Sequence, residues 1–184
     1  ALLKNDNDSD KNGRCLLTGE NDEIERLHKS IQGVWGAQSS GANIVSFNLS
    51  SFESYGKKQG FNAAIGKSAA FAYTTAVNML LAKDSSQRMQ VGDASTVFWS
   101  AKRTKFESEF SFFFSEPPKD NPAEGTQKIR ELFASFKNGV YVEDDKDTDF
   151  YILGLSPNAA RISVRFWHHG KIAEFAGRIR QHFE

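Results

Sequence analysis

Apolar residues alternate with polar ones in several short runs of this chain and recur at helical spacing in others. Arg14-Cys15-Leu16-Leu17-Thr18-Gly19-Glu20 reads as a short strand closing in a tight turn. Ile24, Leu27 and Ile31 predict one or two helical turns leading into Gly33–Asn48, the stretch around which the chain is organised. There, a loop of small and polar residues precedes a short strand carrying Ile44, Val45 and Phe47. Ser50 or Ser51 is placed to cap a short helix with Phe52 and Tyr55, and Gly56 and Gly60 bracket an exposed basic turn, Lys57-Lys58-Gln59. A helix from about Ser68 to Lys83 has little polar surface (Ala69, Phe71, Ala72, Tyr73, Ala76, Met79, Leu80) and is expected to be core.

Arg88 to Val91 and Thr96 to Ser100 predict a hairpin around Gly92-Asp93. Phe106, Phe110, Phe113 and Phe114 form a helical apolar stripe. Pro117-Pro118 and Pro122 mark the best internal boundary, near 116–123. A second amphipathic helix follows from Glu124, with Ile129, Leu132, Phe133 and Phe136, ended by Asn138-Gly139. Phe150 to Leu155 and Arg161 to Trp167 are expected strands. In the second, Arg161, Ser163, Arg165 and Trp167 share one face, and Ile162, Val164 and Phe166 the other. A last helix from Lys171 buries Ile172, Phe175, Ile179 and Phe183. The fold class expected is α+β: a mixed or antiparallel sheet of about five strands with helices packed on it. Residues 1–12 read as a flexible leader and 13–184 as one domain.

Composition adds few constraints. Hydrophobic content of 39% with 16 Phe supports a real core, and no apolar run approaches a membrane span. The one cysteine, Cys15, excludes an internal disulfide framework and fits a reducing cytoplasm. Acids and bases balance at 23 each, but unevenly along the chain. Residues 26–83 carry Arg26, Lys29, Lys57, Lys58, Lys67 and Lys83 against Glu53 alone. A neutral chain with basic sectors is able to bind a phosphate backbone through one face.

Candidate chemistry narrows the choices further. Gln38, Ser39, Ser40 and Asn43 are short, uncharged donors and acceptors suited to reading a polar surface, and no His or Cys within Gly33–Asn48 would activate a serine. A satisfied Gly-Ser connection is the plain alternative. Gly66-Lys67-Ser68 resembles the end of a phosphate-binding loop, but five residues separate Gly60 from Gly66 where that motif needs four; it reads as the start of a helix. Asp145, Asp147 and Asp149 hint at a calcium loop, yet Phe150 stands where a glycine is required. Cys15 and Thr18 have the outline of a zinc knuckle without its second cysteine, so Cys15 reads as a small buried hydrophobe. His168-His169 beside Trp167 reads as a polar strand edge. Arg161 and Arg165 with Trp167 form either a nucleic-acid or protein-binding surface or a solvent face with ion pairs. No catalytic set, metal or cofactor is expected.

Several longer motifs together resemble a known family. Arg14-Cys15-Leu16-Leu17-Thr18-Gly19, the run Gly36 to Asn48 continuing through Phe52-Glu53-Ser54-Tyr55-Gly56, and Phe71-Ala72-Tyr73-Thr74-Thr75-Ala76 are similar to the large subunit of the type I-C (Dvulg-subtype) CRISPR Cascade. Gly92-Asp93 with Thr96-Val97-Phe98-Trp99, and Gly154 to Arg161 with Val164-Arg165-Phe166-Trp167, match it in the same order. The family protein is longer at both ends, so this chain is expected to be its middle portion. The resemblance implies a non-enzymatic, cytoplasmic role in antiviral defence: recognising the protospacer-adjacent motif in duplex DNA and supporting strand opening. The implied partners are target duplex DNA, guide RNA, other Cascade subunits and a separate helicase-nuclease, with no membrane. Within that frame the Gln38–Asn43 loop would contact base edges or wedge beside the first unpaired step, and Lys57, Lys58 and Lys67 would hold phosphates. The competing expectation is a scaffold that contacts guide RNA and neighbouring subunits without reading DNA.

Overall fold

The computed structural model describes residues 11–111, 134 and 145–183. These residues form an α+β structure with six strands in two antiparallel sheets and three α-helices. Residues 1–10 of the leader expected over 1–12, Phe113, Phe114, the proline boundary at 116–123, the helix from Glu124 and the first two acids of the acidic turn lie outside the described residues, whereas Asn12, expected in that leader, opens the first strand. Two compact units divide the chain. The first takes residues 11–79 with Pro157–Ser163, and the second the described parts of Leu80–Ser156 and Val164–Glu184.

In the first unit, β1 (Asn12–Arg14) pairs antiparallel with β2 (Asn21–Glu23), Asn12 lying opposite Glu23. The strand expected over 14–20 therefore ends at Arg14. Cys15 opens a turn closed by hydrogen bonds from Gly19 N to Cys15 O (2.9 Å) and from Cys15 N to Glu20 O (2.8 Å). Cys15 is buried beside Ile65 and Ala70. The helical turns expected from Ile24, Leu27 and Ile31 are absent. Ile24 and Ile31 are buried through single bridges to Gly66 and Ala42, while Leu27 is exposed, so their spacing came from two separate anchors rather than a helical face. The Ile44–Phe47 strand is also absent. Strand-like pairing there is confined, among the described residues, to Ala42 and Asn43, after which the chain bends. Ser50–Phe52 forms a 3-10 turn with no side-chain cap, and Tyr55 lies beyond it, fully exposed.

Helix α1 (Lys67–Leu80) begins where the phosphate-loop resemblance ended. Its N-terminus is occupied from within the chain: Ser68 N donates to the Asp22 carboxylate at 3.0 Å. That bond holds the Asp22 carboxyl below its ordinary range, as expected for an anion at a helix start. Expectation and structure differ on the helix's faces. Ala70, Thr74 and Val77 are buried along one line, whereas Phe71, Ala72, Ala76 and Met79 are not, with Phe71 and Met79 well exposed. Ala supports helix formation on an open face as well as in a core, and composition did not separate the two.

The second unit is more regular. Strands β3 (Arg88–Val91) and β4 (Ala94–Ser100) form the expected hairpin, with Val91 opposite Ala94. Strand β5 (Asp149–Asn158) pairs with β4, and β6 (Arg161–Lys171) completes the order β3-β4-β5-β6. Both later strands run past their expected ends, so the connection at 156–160 shrinks to a tight turn with Ala159 at φ +53°. Helix α2 (Lys105–Phe110) is capped by Thr104, whose hydroxyl accepts from Glu107 N at 3.1 Å. Glu107 returns to strand β4 by accepting from Ser100 N at 2.6 Å. Helix α3 (Ile172–Phe183) follows β6 directly. Phe98, Phe106, Phe110, Phe150, Ile172 and Phe175 make one core, with ring centroids 4.9 Å apart for Phe98–Phe110 and Phe106–Phe150. Each buried Phe contributes on the order of 1.5–3 kcal/mol by removal from water.

Strand β6 departs from its expected two-faced pattern. Ile162 is buried, but Val164 is 50% exposed and Arg165, Trp167, His168 and His169 are all exposed. The apolar face is therefore covered only in part along this strand.

Candidate functional site

The loop of Gly33–Asn48 is closed at its neck by two backbone hydrogen bonds between Ile31 and Ala42, 2.8 and 3.0 Å long. Gly41 must be glycine twice over. Its φ is +88°, and a Cβ there would sit 2.7 Å from the Ile31 carbonyl oxygen. The neck leaves Gln38, Ser39 and Ser40 at the tip, in a turn closed by Gly41 N donating to Gln38 O at 2.9 Å. Asn43 is placed differently. Its amide donates to His28 O at 2.6 Å, its Oδ1 accepts from the Ser30 hydroxyl at 3.5 Å, and its own carbonyl accepts from Ile162 N at 3.0 Å. Asn43 thus fastens the base of the loop, while Gln38–Ser40 lie exposed.

The basic candidates fall into paired and unpaired groups. Lys67 reaches Glu23 at 2.6 Å, and Arg165 reaches Asp93 at 2.9 Å. Arg161 donates to Asn48 Oδ1 at 2.6 Å and lies 4.4 Å from the centre of the Phe52 ring. Lys57 and Lys58 are exposed and form no ion pair among the described residues. Asn62 holds their turn: its Oδ1 accepts from Ser54 N at 2.9 Å and its amide donates to Lys57 O and Gln59 O at 3.0 Å each. Gln38, Ser39, Ser40, Asn43, Lys57, Lys58, Lys67 and Arg161 belong to the first unit, and Arg165 to the second.

Sequence reasoning passed over two features. One is a cleft of about 210 Å³ in the first unit, whose lining includes Arg26, Leu27, His28, Phe47 and Gly60. His28 there is only 5% exposed. Its Nδ1 lies 2.6 Å from the Tyr73 hydroxyl, and its Nε2 has no hydrogen-bond partner among the described residues. Burial lowers the His28 pKa and pushes the Tyr73 hydroxyl up to about 12, so both are neutral near pH 7. The sequence signal was slight, a single His between Leu27 and Lys29. The second feature is a run of rings on the second unit's sheet. Trp99 stacks on Tyr151 at 5.2 Å, Tyr151 stacks on His169 at 4.7 Å, and Trp167 lies tilted against Trp99 and Tyr151. At its end Lys171 pairs with Asp149 at 2.8 Å. That bond holds the Asp149 carboxyl below its ordinary range and raises Lys171.

Cys15 is the other perturbed group. Hydrogen bonds from the Thr18 hydroxyl and from backbone N–H groups lower its thiol to about 7. No cluster of three or more His, Cys, Asp or Glu stands together among the described residues. No helix among them is long and apolar enough to cross a membrane.

Comparison with known proteins gives the wider setting. No curated protein matches the chain. Residues 1–184 match the family described as CRISPR-associated protein (Cas_Csd1) over their whole length. This chain belongs to the Cas_Csd1 family of CRISPR-associated proteins.

Proposed function

We propose that this chain is a non-catalytic nucleic-acid-binding part of a CRISPR RNA-guided surveillance complex, contributing to recognition of the protospacer-adjacent motif and to opening of the target strands. The family supports a CRISPR-associated role in defence. The observation that carries the DNA reading is the state of the cations: Lys57 and Lys58 stand exposed, without ion pairs among the described residues, in the same unit as the exposed Gln38–Ser40 tip. Lysines hold phosphates and set register, while short uncharged side chains meet base edges. Guide RNA, other Cascade subunits and a separate helicase-nuclease complete the proposed set of partners.

A second reading, a scaffold that contacts guide RNA and neighbouring subunits, is supported by a different observation. Leu16, Leu17, Trp35 and Leu49 are all exposed large apolar residues of this same unit, and exposed apolar surface often marks protein contact.

One experiment separates the two. A reconstituted complex is titrated with duplexes bearing a correct or scrambled adjacent motif, using wild type, Gln38→Ala with Ser40→Ala, and Lys57→Glu with Lys58→Glu. The tip variant is expected to assemble and lose preference for the correct motif. The lysine variant is expected to weaken all duplexes alike and to flatten the salt dependence, by roughly 0.9 in log–log slope for each phosphate no longer neutralised. Normal discrimination by both variants, or failed assembly of both, overturns the DNA reading in favour of the scaffold.

A further inference from the structure

His28, which lines the cleft, carries an unexplained polar atom. A buried nitrogen without a partner costs about 1–3 kcal/mol, and native structures rarely carry one without a use. His28 Nδ1 is engaged by Tyr73 at 2.6 Å, and either tautomer leaves Nε2 unspent. It is an N–H donor if Tyr73 donates, and a lone pair if Nδ1–H donates. The remaining lining narrows the ligand. Leu27, Val45 and Phe47 supply apolar and aromatic surface, and Arg26 supplies a cation. No carboxylate lines the cleft among the described residues, which disfavours a cationic ligand, and a single His is too little for a metal. A volume of about 210 Å³ is below the roughly 300–1,000 Å³ of drug-sized pockets, and suits one planar ring system rather than several.

We propose that this cleft takes a single unstacked nucleotide, its base against Phe47 with a polar edge on His28 Nε2, and its phosphate on the Arg26 guanidinium. This deepens the DNA reading and rests on it: a complex that opens a duplex exposes a base outside the stack, and holding that base offsets part of the cost of unpairing it. Arg26 now donates to Gln59 Oε1 at 2.6 Å, a bond at the surface that a phosphate is able to replace.

The test uses this chain with isotope-labelled histidine and each of the four deoxynucleoside 5′-monophosphates as probes. Saturable movement of the His28 Nε2 resonance is expected with at least one of them. Affinity, read by isothermal titration calorimetry and so independent of the His28 resonance, is expected to fall about tenfold in Arg26→Ala and to vanish in His28→Phe. Arg26 is exposed enough that its variant keeps the test usable if His28→Phe does not fold. No movement with any of the four, or affinities unchanged in both variants, overturns the proposal. Duplex titration of the assembled complex tells the two failures apart. Motif discrimination that persists without mononucleotide binding sinks the pocket and spares the DNA reading. Mononucleotide binding without motif discrimination does the reverse.

Discussion

The two units are held together by different means. The second has a four-stranded sheet whose Phe98 and Phe150 meet Phe106 and Phe110 of α2 and Phe175 of α3. The first has a two-stranded ribbon, single bridges and side chains that act as ties. Asn43, Asn62 and Asn78 each hydrogen-bond main-chain groups distant in sequence or across a turn, and Asp22 caps α1. One unit rests on apolar burial, which is tolerant of detail. The other adds to a smaller apolar cluster around Cys15, Ile65 and Ala70 a set of polar groups placed one at a time, each costly to remove. That second arrangement leaves backbone and polar side chains at the surface, where recognition occurs.

Breaking the aromatic core is the largest test of this contrast. Phe98→Ala is expected to destabilise the second unit by about 3–5 kcal/mol, read as a lower denaturant midpoint at Trp99. In the first unit, Gly60→Ala places a Cβ against the Glu25 and Arg26 carbonyls. It is expected to cost about 1–3 kcal/mol through forced backbone movement, measured by calorimetry. Asn43→Ala strands the part-buried His28 carbonyl and should cost a similar amount, about 1–3 kcal/mol. An Asn43 variant as stable as wild type would remove the polar-tie account of this unit. Thr104→Ala deletes the α2 cap and is expected to cost about 0.5–2 kcal/mol, a smaller effect because the Phe core beneath it remains.

Acid separates the units most finely. Burial lowers the folded pKa of His28 below 6.5, so between those values the unfolded state holds more protons. Stability therefore rises with pH across that window and falls as pH drops below about 6.5. His28→Phe is expected to flatten this part of the pH–stability curve. Asp149 acts in a lower range: its depressed folded pKa contributes stability above 3.8 that is lost only as pH falls through the folded value. Asp149→Asn should therefore alter the curve in strong acid and leave the mildly acidic part intact.

The regular unit was the more legible. The Gly92-Asp93 hairpin, the β5 and β6 strands, the Phe106–Phe110 turn of helix and the final helix were all legible, because turn residues, strand-forming runs and helical spacing are local, although the faces of β6 did not follow the expected alternation. In the irregular unit, Ile24, Leu27 and Ile31 mimicked a helical stripe, and Ile44, Val45 and Phe47 a strand. Ile24 and Ile31 are buried against partners elsewhere in the chain, Gly66 and Ala42, and local periodicity carries no record of those. Of the candidate site, Gln38, Ser39, Ser40, Lys57 and Lys58 were legible as exposed polar and basic turns, since glycine punctuation and charge are local properties. The inward role of Asn43, the Glu23 and Asp93 partners of Lys67 and Arg165, and the cleft at His28 were not.

By itself, then, the sequence determined the α+β class, the aromatic core, most turns and the supply of uncharged polar and basic residues, all consequences of side-chain type and near-neighbour spacing. Which of those polar groups are consumed inside the fold is set by contacts between residues distant in sequence. The choice between a tie and a free contact depends on which backbone groups long-range folding brings within hydrogen-bond reach, a matter of about 3 Å that no local pattern encodes.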